Sequence, residues 1–273
     1  MANTKKSLIL DKSHAVFNRG YDIIGSTAIV KFDRSVKQIE KKKFAVSLLQ
    51  KYKSIKTVLE KTGKFSGRLR IQRTKYLAGE KTKEALHKEA GCEFRLNVEK
   101  CYFSPRLSNE RLEIANSVGR SERVLVLFGG VAPFAILIAK IAKPERAVSV
   151  ELGRECNKYA ADNIKRNKVN VSLIQGDVRR VLPKMKKEKF DRIVMARPNL
   201  KDSFLDVAFP RIKTGGIIHY YGFYAEKDIS QMKDLIEKEA KRARKKIKIL
   251  RVKKAGDIGV RKFRYRADIK ILD

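Results

Sequence analysis

The sequence is short of residues that cross-link or ligate. Its three cysteines, Cys92, Cys101 and Cys156, are odd in number and lack CxxC spacing, and His14, His87 and His219 lie far apart along 273 residues. Neither a disulfide framework nor a zinc site is expected from such spacing. No apolar run approaches the ~20 residues of a membrane-spanning helix, and Met1 to Lys6 is polar with no apolar core behind it. No membrane partner and no signal peptide are therefore expected, and the protein is expected in the cytoplasm. Acidic residues are scarce too: 30 Asp and Glu face 64 Lys and Arg, a formal charge of +34 spread over the whole chain. Such a surface selects a polyanion, nucleic acid first, although charge alone does not separate RNA from DNA or an anionic membrane. A heat-adapted surface would also be rich in charge, but its signs would lie closer to balance.

What remains is 43% hydrophobic, enough for one large domain or for a catalytic domain with a small one attached. Residues 21 to 32, YDIIGSTAIVKF, read as a hairpin broken at Gly25-Ser26. Val36 to Tyr52 has helical periodicity with Ile39, Phe44, Leu48 and Leu49 on one side, and Arg68 to Leu77 and Phe94 to Phe103 are strand-like. Residues 1–90 are thus expected to form a small basic α/β domain.

From Ser104-Pro105-Arg106, a good helix opening, the chain alternates. A helix with Leu107, Leu112, Ala115 and Val118 buried is followed by run 124–127, helix 133–141, run 147–150, helix 153–167 and run 171–174. Phe190 to Met195, a helix near Leu200 to Phe209, the strand Gly216 to Tyr221 and a basic helix Lys227 to Lys245 continue the pattern. Two closing strands, Ile247 to Val252 and Phe263 to Leu272, have a short connection and are expected to pair antiparallel. The alternation predicts a mostly parallel sheet of about seven strands covered on both faces, over residues 91–273.

In such a sheet a ligand binds outside the carboxyl ends of the strands. The first strand ends in Phe128-Gly129-Gly130-Val131-Ala132-Pro133, where small residues admit a close ligand; the second ends at Glu151, placed to accept from ribose hydroxyls. The third ends at Gly176-Asp177, placed to accept from an adenine amino group, and the fourth at Ala196-Arg197-Pro198. Singly, these are also what tight turns and solvated carboxylates look like. The G-x-G-x-x-G of a pyrophosphate site is missing, which favours a cofactor without phosphates, such as S-adenosylmethionine.

YFSPRLSNER (102–111), VLVLFGGVAPFAI (124–136), VSVEL (148–152), NIKRNKV (163–169), GDVR (176–179) and GGIIHYY (215–221) together resemble the archaeal and eukaryotic tRNA (guanine-37 N1)-methyltransferases. The resemblance implies a class I methyltransferase Rossmann-like fold and S-adenosyl-L-methionine as cofactor. It also implies a monomer that takes the anticodon stem-loop of tRNA, with residues 1–90 positioning it. It would put Glu151 on the ribose, Asp177 and Val178 at the adenine end, and Phe128, Gly129 and Gly130 on the methionine side. Arg106 and Arg111 would lie near the cofactor carboxylate or the substrate, Arg106 being the substrate-side candidate.

Guanine N1 carries a proton, and negative charge builds on O6 as it is methylated, so the chemistry needs a base and a cation. Glu110, one helical turn after Arg106, is the candidate base; otherwise it is an ion-pair partner of Arg106. Arg70, in a segment resembling the family's, is the candidate for O6; otherwise it is a phosphate contact. Pro198 closes the site.

Two departures stand out: Ala132 replaces a glycine of the family's loop, and only the proline survives of its N-L-P motif at 196–198. The smaller Ala196 leaves room for the tricyclic wyosine intermediate (4-demethylwyosine), hence a bifunctional alternative. A non-catalytic tRNA-binding relative and a methyltransferase of another RNA remain open as well.

Overall fold

The computed structural model describes residues 21–63, 66–185, 187–196, 202–259 and 261–273. The chain begins with β1 (Asp22–Ile24) and β2 (Thr27–Val30), an antiparallel hairpin that turns at Gly25 with φ +59. α1 (Gln38–Lys51) then crosses to β3 (Thr57–Lys61), parallel to β2, and β4 (Thr74–Gly79) closes the sheet antiparallel to β3. Ala28, Val30, Ala45, Leu48, Val58 and Leu77 form its core.

Two sequence expectations fail here. Ile39 is 63% exposed, because α1 turns Ala45 inward beside Leu48, with Phe44 and Leu49 packed against that core as expected. Residues 67–70 form a turn, so of the strand expected over Arg68 to Leu77 only the part from Thr74 forms, as β4; the central strand β3 shows no alternation in the sequence, because Thr57 to Glu60 are all buried.

A second hairpin, β5 (Glu84–Glu89) and β6 (Cys92–Asn97), turns at Ala90-Gly91, at the boundary expected between the two domains. Ala85, Phe94 and Leu96 pack into one core with Val124, Val126 and Ile136, so the hairpin belongs by packing to the larger, C-terminal domain. The NIKRN motif explains this attachment. Asn163 bonds both the amide and the carbonyl of Arg95, and Asn167, one helical turn on, does the same for Glu93. Two carboxamides thus satisfy a strand edge that would otherwise be buried unpaired.

After a 3-10 turn at Pro105–Leu107 come α2 (Ser108–Asn116), β7 (Arg123–Leu127), α3 (Pro133–Ile141), β8 (Arg146–Glu151), α4 (Arg154–Asn167) and β9 (Ser172–Gln175). The short α5 (Val178–Val181) leads to β10 (Phe190–Met195), α6 (Leu205–Ala208), β11 (Ile212–Tyr224), α7 (Ile229–Arg242), β12 (Ile247–Gly259) and β13 (Lys262–Ile271). They build a seven-stranded sheet in the order β12-β13-β11-β10-β7-β8-β9, parallel from β9 to β11, with β13 and β12 antiparallel as expected.

The strand order reverses between β7 and β10, which places a crevice at the carboxyl ends there. β10 stops at Met195, opposite Tyr220, while β11 and β13 stay paired out to Tyr224 and Phe263 and so raise a wall beside the crevice. Cys101 and Cys156 are paired as a disulfide, contrary to the sequence expectation. Their separation of 55 residues follows no spacing rule, and only the packing of α4 against the segment before Pro105 brings them together.

Candidate active site at the carboxyl ends of the strands

A cavity of about 1140 Å³, its open mouth included, lies over the ends of β7, β8, β10 and β11. On the β8 side its chemistry is mostly main chain. Glu151 accepts from the amides of Gly130 (2.9 Å) and Gly153 (2.6 Å), one on each carboxylate oxygen, which does not exhaust the acceptor capacity of a carboxylate lining the cavity. Burial pushes its carboxyl pKa up against the pull of those amides. Gly129 has no room for a side chain, since a Cβ there would lie 2.1 Å from Ser149 Oγ.

Phe128 and Gly130 turn the chain with φ +60 and +58. A carboxylate already holding the turn's amide repels a phosphate, and its free lone pairs suit hydroxyl donors. These residues therefore fit a nucleoside cofactor and not a pyrophosphate.

Asp177 caps α5 by accepting from the amide of Arg179, and its other oxygen pairs with Arg68 at 2.6 Å. Arg68 comes from the small N-terminal sheet's loop 66–71, which also brings Leu69 and Arg70 to the cavity. Arg70, with φ +52, stacks its guanidinium 4.8 Å from the Tyr102 ring. One loop thus touches both ends of the cavity.

On the β11 side the polar groups are side chains. Tyr221 lines the cavity and donates its hydroxyl to Glu110 (2.9 Å), which is buried and ion-paired with Arg266. Arg266 also meets Glu113 and Asp268, and Lys253 reaches both Glu110 and Glu113. Burial pushes the Glu113 carboxyl up, but hydrogen bonds from Lys253 and Arg266 outweigh it and hold the pKa at about 2. Behind them His219 joins Asp268 through Nδ1 (2.6 Å) and Arg192 through Nε2 (2.8 Å). Because Arg192 can only donate, Nε2 accepts and Nδ1 carries the proton.

Of the residues chosen from sequence, Arg70, Phe128, Gly129, Gly130, Glu151, Asp177 and Val178 line this cavity together. Glu110 lies behind Tyr221, and its partner is Arg266, not Arg106. Arg106 does not line the cavity; it turns to Asp22 at 2.7 Å. Arg111 does line it, but its Nε and Nη2 are committed to Glu89, both at 2.5 Å, so it ties the β5–β6 hairpin to α2 and is not a free cation for a cofactor carboxylate.

Pro198 lies outside the described residues. Ala132 is buried and does not line the cavity. Sequence reasoning missed Arg68, Phe204, Phe223 and Arg264, which no local pattern marks; Tyr102 and Tyr221 stood inside the quoted motifs without a role.

A glycine turn, a ribose-type carboxylate and an adenine-type carboxylate at successive ends of a 7-stranded sheet of this order define a class I methyltransferase fold. Residues 85–250 match the TRM5/TYW2 methyltransferase domain and residues 6–82 the TYW2 N-terminal domain, so the chain belongs to the TRM5/TYW2 methyltransferase family. It is 38% identical over 209 residues to the tRNA (guanine(37)-N(1))-methyltransferase Trm5b of Pyrococcus abyssi, covering 76% of this chain and 61% of that protein. The crystal structure of that enzyme superposes with a TM-score of 0.86 at 32% identity, over 96% of this chain and 78% of that one.

The tRNA (guanine(37)-N(1))/4-demethylwyosine(37)-methyltransferase Taw22 of Nanoarchaeum equitans is 33% identical, over 92% of this chain and 99% of its own length. M. jannaschii TYW2, solved in complex with AdoMet, aligns with a TM-score of 0.70 at 28% identity, covering 92% of this chain and 99% of that one.

Proposed function

We propose that this protein methylates N1 of guanosine at position 37 of tRNA, with S-adenosylmethionine as donor. The observation that carries the reading is one cavity bounded by a nucleoside-type carboxylate, Glu151, and, on the opposite wall, by Tyr221 bonded to the buried carboxylate of Glu110. The cofactor bound there supplies an electrophilic methyl group, and Glu151, Asp177 and the glycine turn hold its nucleoside.

On transfer of that methyl group to N1, Tyr221 would take the N1 proton and pass its own to Glu110. Arg70, which also lines the cavity, faces the charge gathering on O6. Residues up to about 82, including loop 66–71, position the RNA, whose phosphates meet the +34 surface.

The test is labelled methyl transfer to transcripts carrying G37 or A37, followed by nucleoside analysis. 1-methylguanosine from G37 alone supports the reading; no transfer to either transcript overturns it. A second reading, methylation of 4-demethylwyosine as well, is favoured by Ala196 at the cavity wall and by the near-complete coverage of Taw22. Transfer to tRNA carrying that intermediate decides it.

A further inference from the structure

Arg264 and Arg266 project from the same face of β13, two residues apart, yet their surroundings are opposite. Arg266 is ringed by Glu110, Glu113 and Asp268. Arg264, only 8% exposed, has no carboxylate within 4.0 Å among the described residues. Its contacts are the Tyr102 hydroxyl, to which Nη2 donates at 3.1 Å, and the Phe223 ring, 5.2 Å from the guanidinium. The other buried arginines each have an acid: Arg111 has Glu89 and Arg192 has Glu122. A cation buried without a counter-ion is costly, and a fold retains one where an anion arrives from outside.

Arg264 lines the cavity from β13, on the far side of β7 from Glu151 and Asp177. The cofactor half already has its polar contacts, so the charge of Arg264 faces the incoming substrate. Arg70 sits over the same Tyr102 ring, and burial, together with Arg264, lowers its pKa against the pull of Tyr102. Two guanidiniums clasping one tyrosine in a half-closed site make a strongly positive, pre-oriented receptor.

We infer that Arg264 is a substrate-binding residue that takes an anionic oxygen of the target nucleotide. The oxygen is either a flanking phosphate or O6 as charge develops on it. This rests on the function proposed for the same cavity.

The experiment compares wild type, Arg264→Gln and Arg264→Lys for stem-loop RNA binding at several salt concentrations, for cofactor binding, and for single-turnover methyl transfer at saturating RNA. If the oxygen is a phosphate, the Gln variant binds RNA about tenfold more weakly with a log–log salt slope smaller by about one, and the Lys variant recovers most of the loss. If it is O6, RNA affinity holds and the rate falls about 100-fold. Either result supports the inference.

RNA affinity and rate both within twofold of wild type overturn it, as does a loss confined to cofactor affinity. Should the Gln variant fail to fold, a neutral methylphosphonate at the target nucleotide and the wild-type and Lys proteins take its place. Unchanged binding of that RNA by both, with Lys variant and wild type equal in rate, overturns the inference. A wild type that methylates neither transcript overturns the functional reading instead, and this inference with it.

Discussion

On the wall formed by β7, β8 and β9, the cavity's polar groups are main-chain amides and two carboxylates, drawn from turns only a few residues long. On the wall formed by β10, β11 and β13, they are side chains brought together from far apart in the sequence. Glu110 and Arg266 are separated by 156 residues, and Glu110 and Tyr221 by 111. The first wall is a shape that the backbone imposes, suited to holding an invariant cofactor. The second is a charge arrangement in which every member depends on its neighbours, suited to moving a proton.

The largest effects should come from the second wall. Glu110→Gln keeps size and hydrogen bonding and leaves Arg266 facing Glu113 and Asp268, so the fold should survive. Single-turnover methyl transfer should nevertheless fall by about 100-fold or more, the usual scale of general base catalysis, with RNA and cofactor affinity little changed. Tyr221→Phe should reproduce the loss if the proton passes through the hydroxyl. A Phe variant near the wild-type rate beside an inactive Gln variant would mean that Glu110 acts directly, and two active variants would remove both from the mechanism.

The first wall predicts the reverse split. Glu151→Ala should cost about 1.5–3 kcal/mol of cofactor binding, the value of hydrogen bonds to a charged group, without changing the rate at saturating cofactor. Because burial raises the Glu151 pKa, wild-type affinity should weaken on acidification earlier than an ordinary carboxylate would dictate, and the Ala variant should lose that dependence. Calorimetric titration across pH reads both. Equal affinity of the two proteins at neutral pH would rule out the ribose role.

This contrast also explains what could be read from the sequence. The strand–helix alternation, the glycine turn, Glu151 and Asp177 were legible because each is a local pattern at a strand end. The partners of Glu110 were not, since helix periodicity places Arg106 and Glu110 on one face but says nothing of β13, and Arg106 goes to Asp22 instead. The partner of Arg111 is hidden for the same reason, since Glu89 lies on a hairpin that only packing attaches, although Arg111 does line the cavity. The first residues of the strand expected over Arg68 to Leu77 belong instead to a loop, where Leu69 packs beside Gly153 over the cavity, and only the part from Thr74 is strand.

A smaller effect tests how the second wall is buried. Burial lowers the His219 pKa below its usual 6.5 despite the opposing pull of Asp268, with Arg192 and Arg266 also disfavouring the proton. The unfolded chain therefore binds a proton that the folded one resists. The stability His219 supports is complete above about 6.5 and is lost as pH falls below it, with a slope of at most about 1.4 kcal/mol per pH unit. His219→Asn, judged by thermal unfolding between pH 7.5 and 5.5, should flatten that fall; an unaltered slope would place the titrating group elsewhere.

The smallest effect belongs to Ala132, at the start of α3 on the first wall, where φ +64 and ψ +33 put an alanine in the left-handed region. That conformation costs a non-glycine residue about 1–2 kcal/mol, so Ala132→Gly should relieve strain. Two terms oppose it. The side chain is fully buried, and a lost buried methyl is worth about 0.8 kcal/mol. Glycine also loosens the unfolded chain by about 0.4–1 kcal/mol. The sum lies within about 1 kcal/mol of zero, a shift of no more than about 2–4 °C in Tm for a chain of this size. Since Ala132 does not line the cavity, cofactor affinity should hold within twofold. A tenfold gain in affinity for the Gly variant would show that alanine distorts the turn that holds Glu151, and the first wall would then be less rigid than its backbone geometry implies.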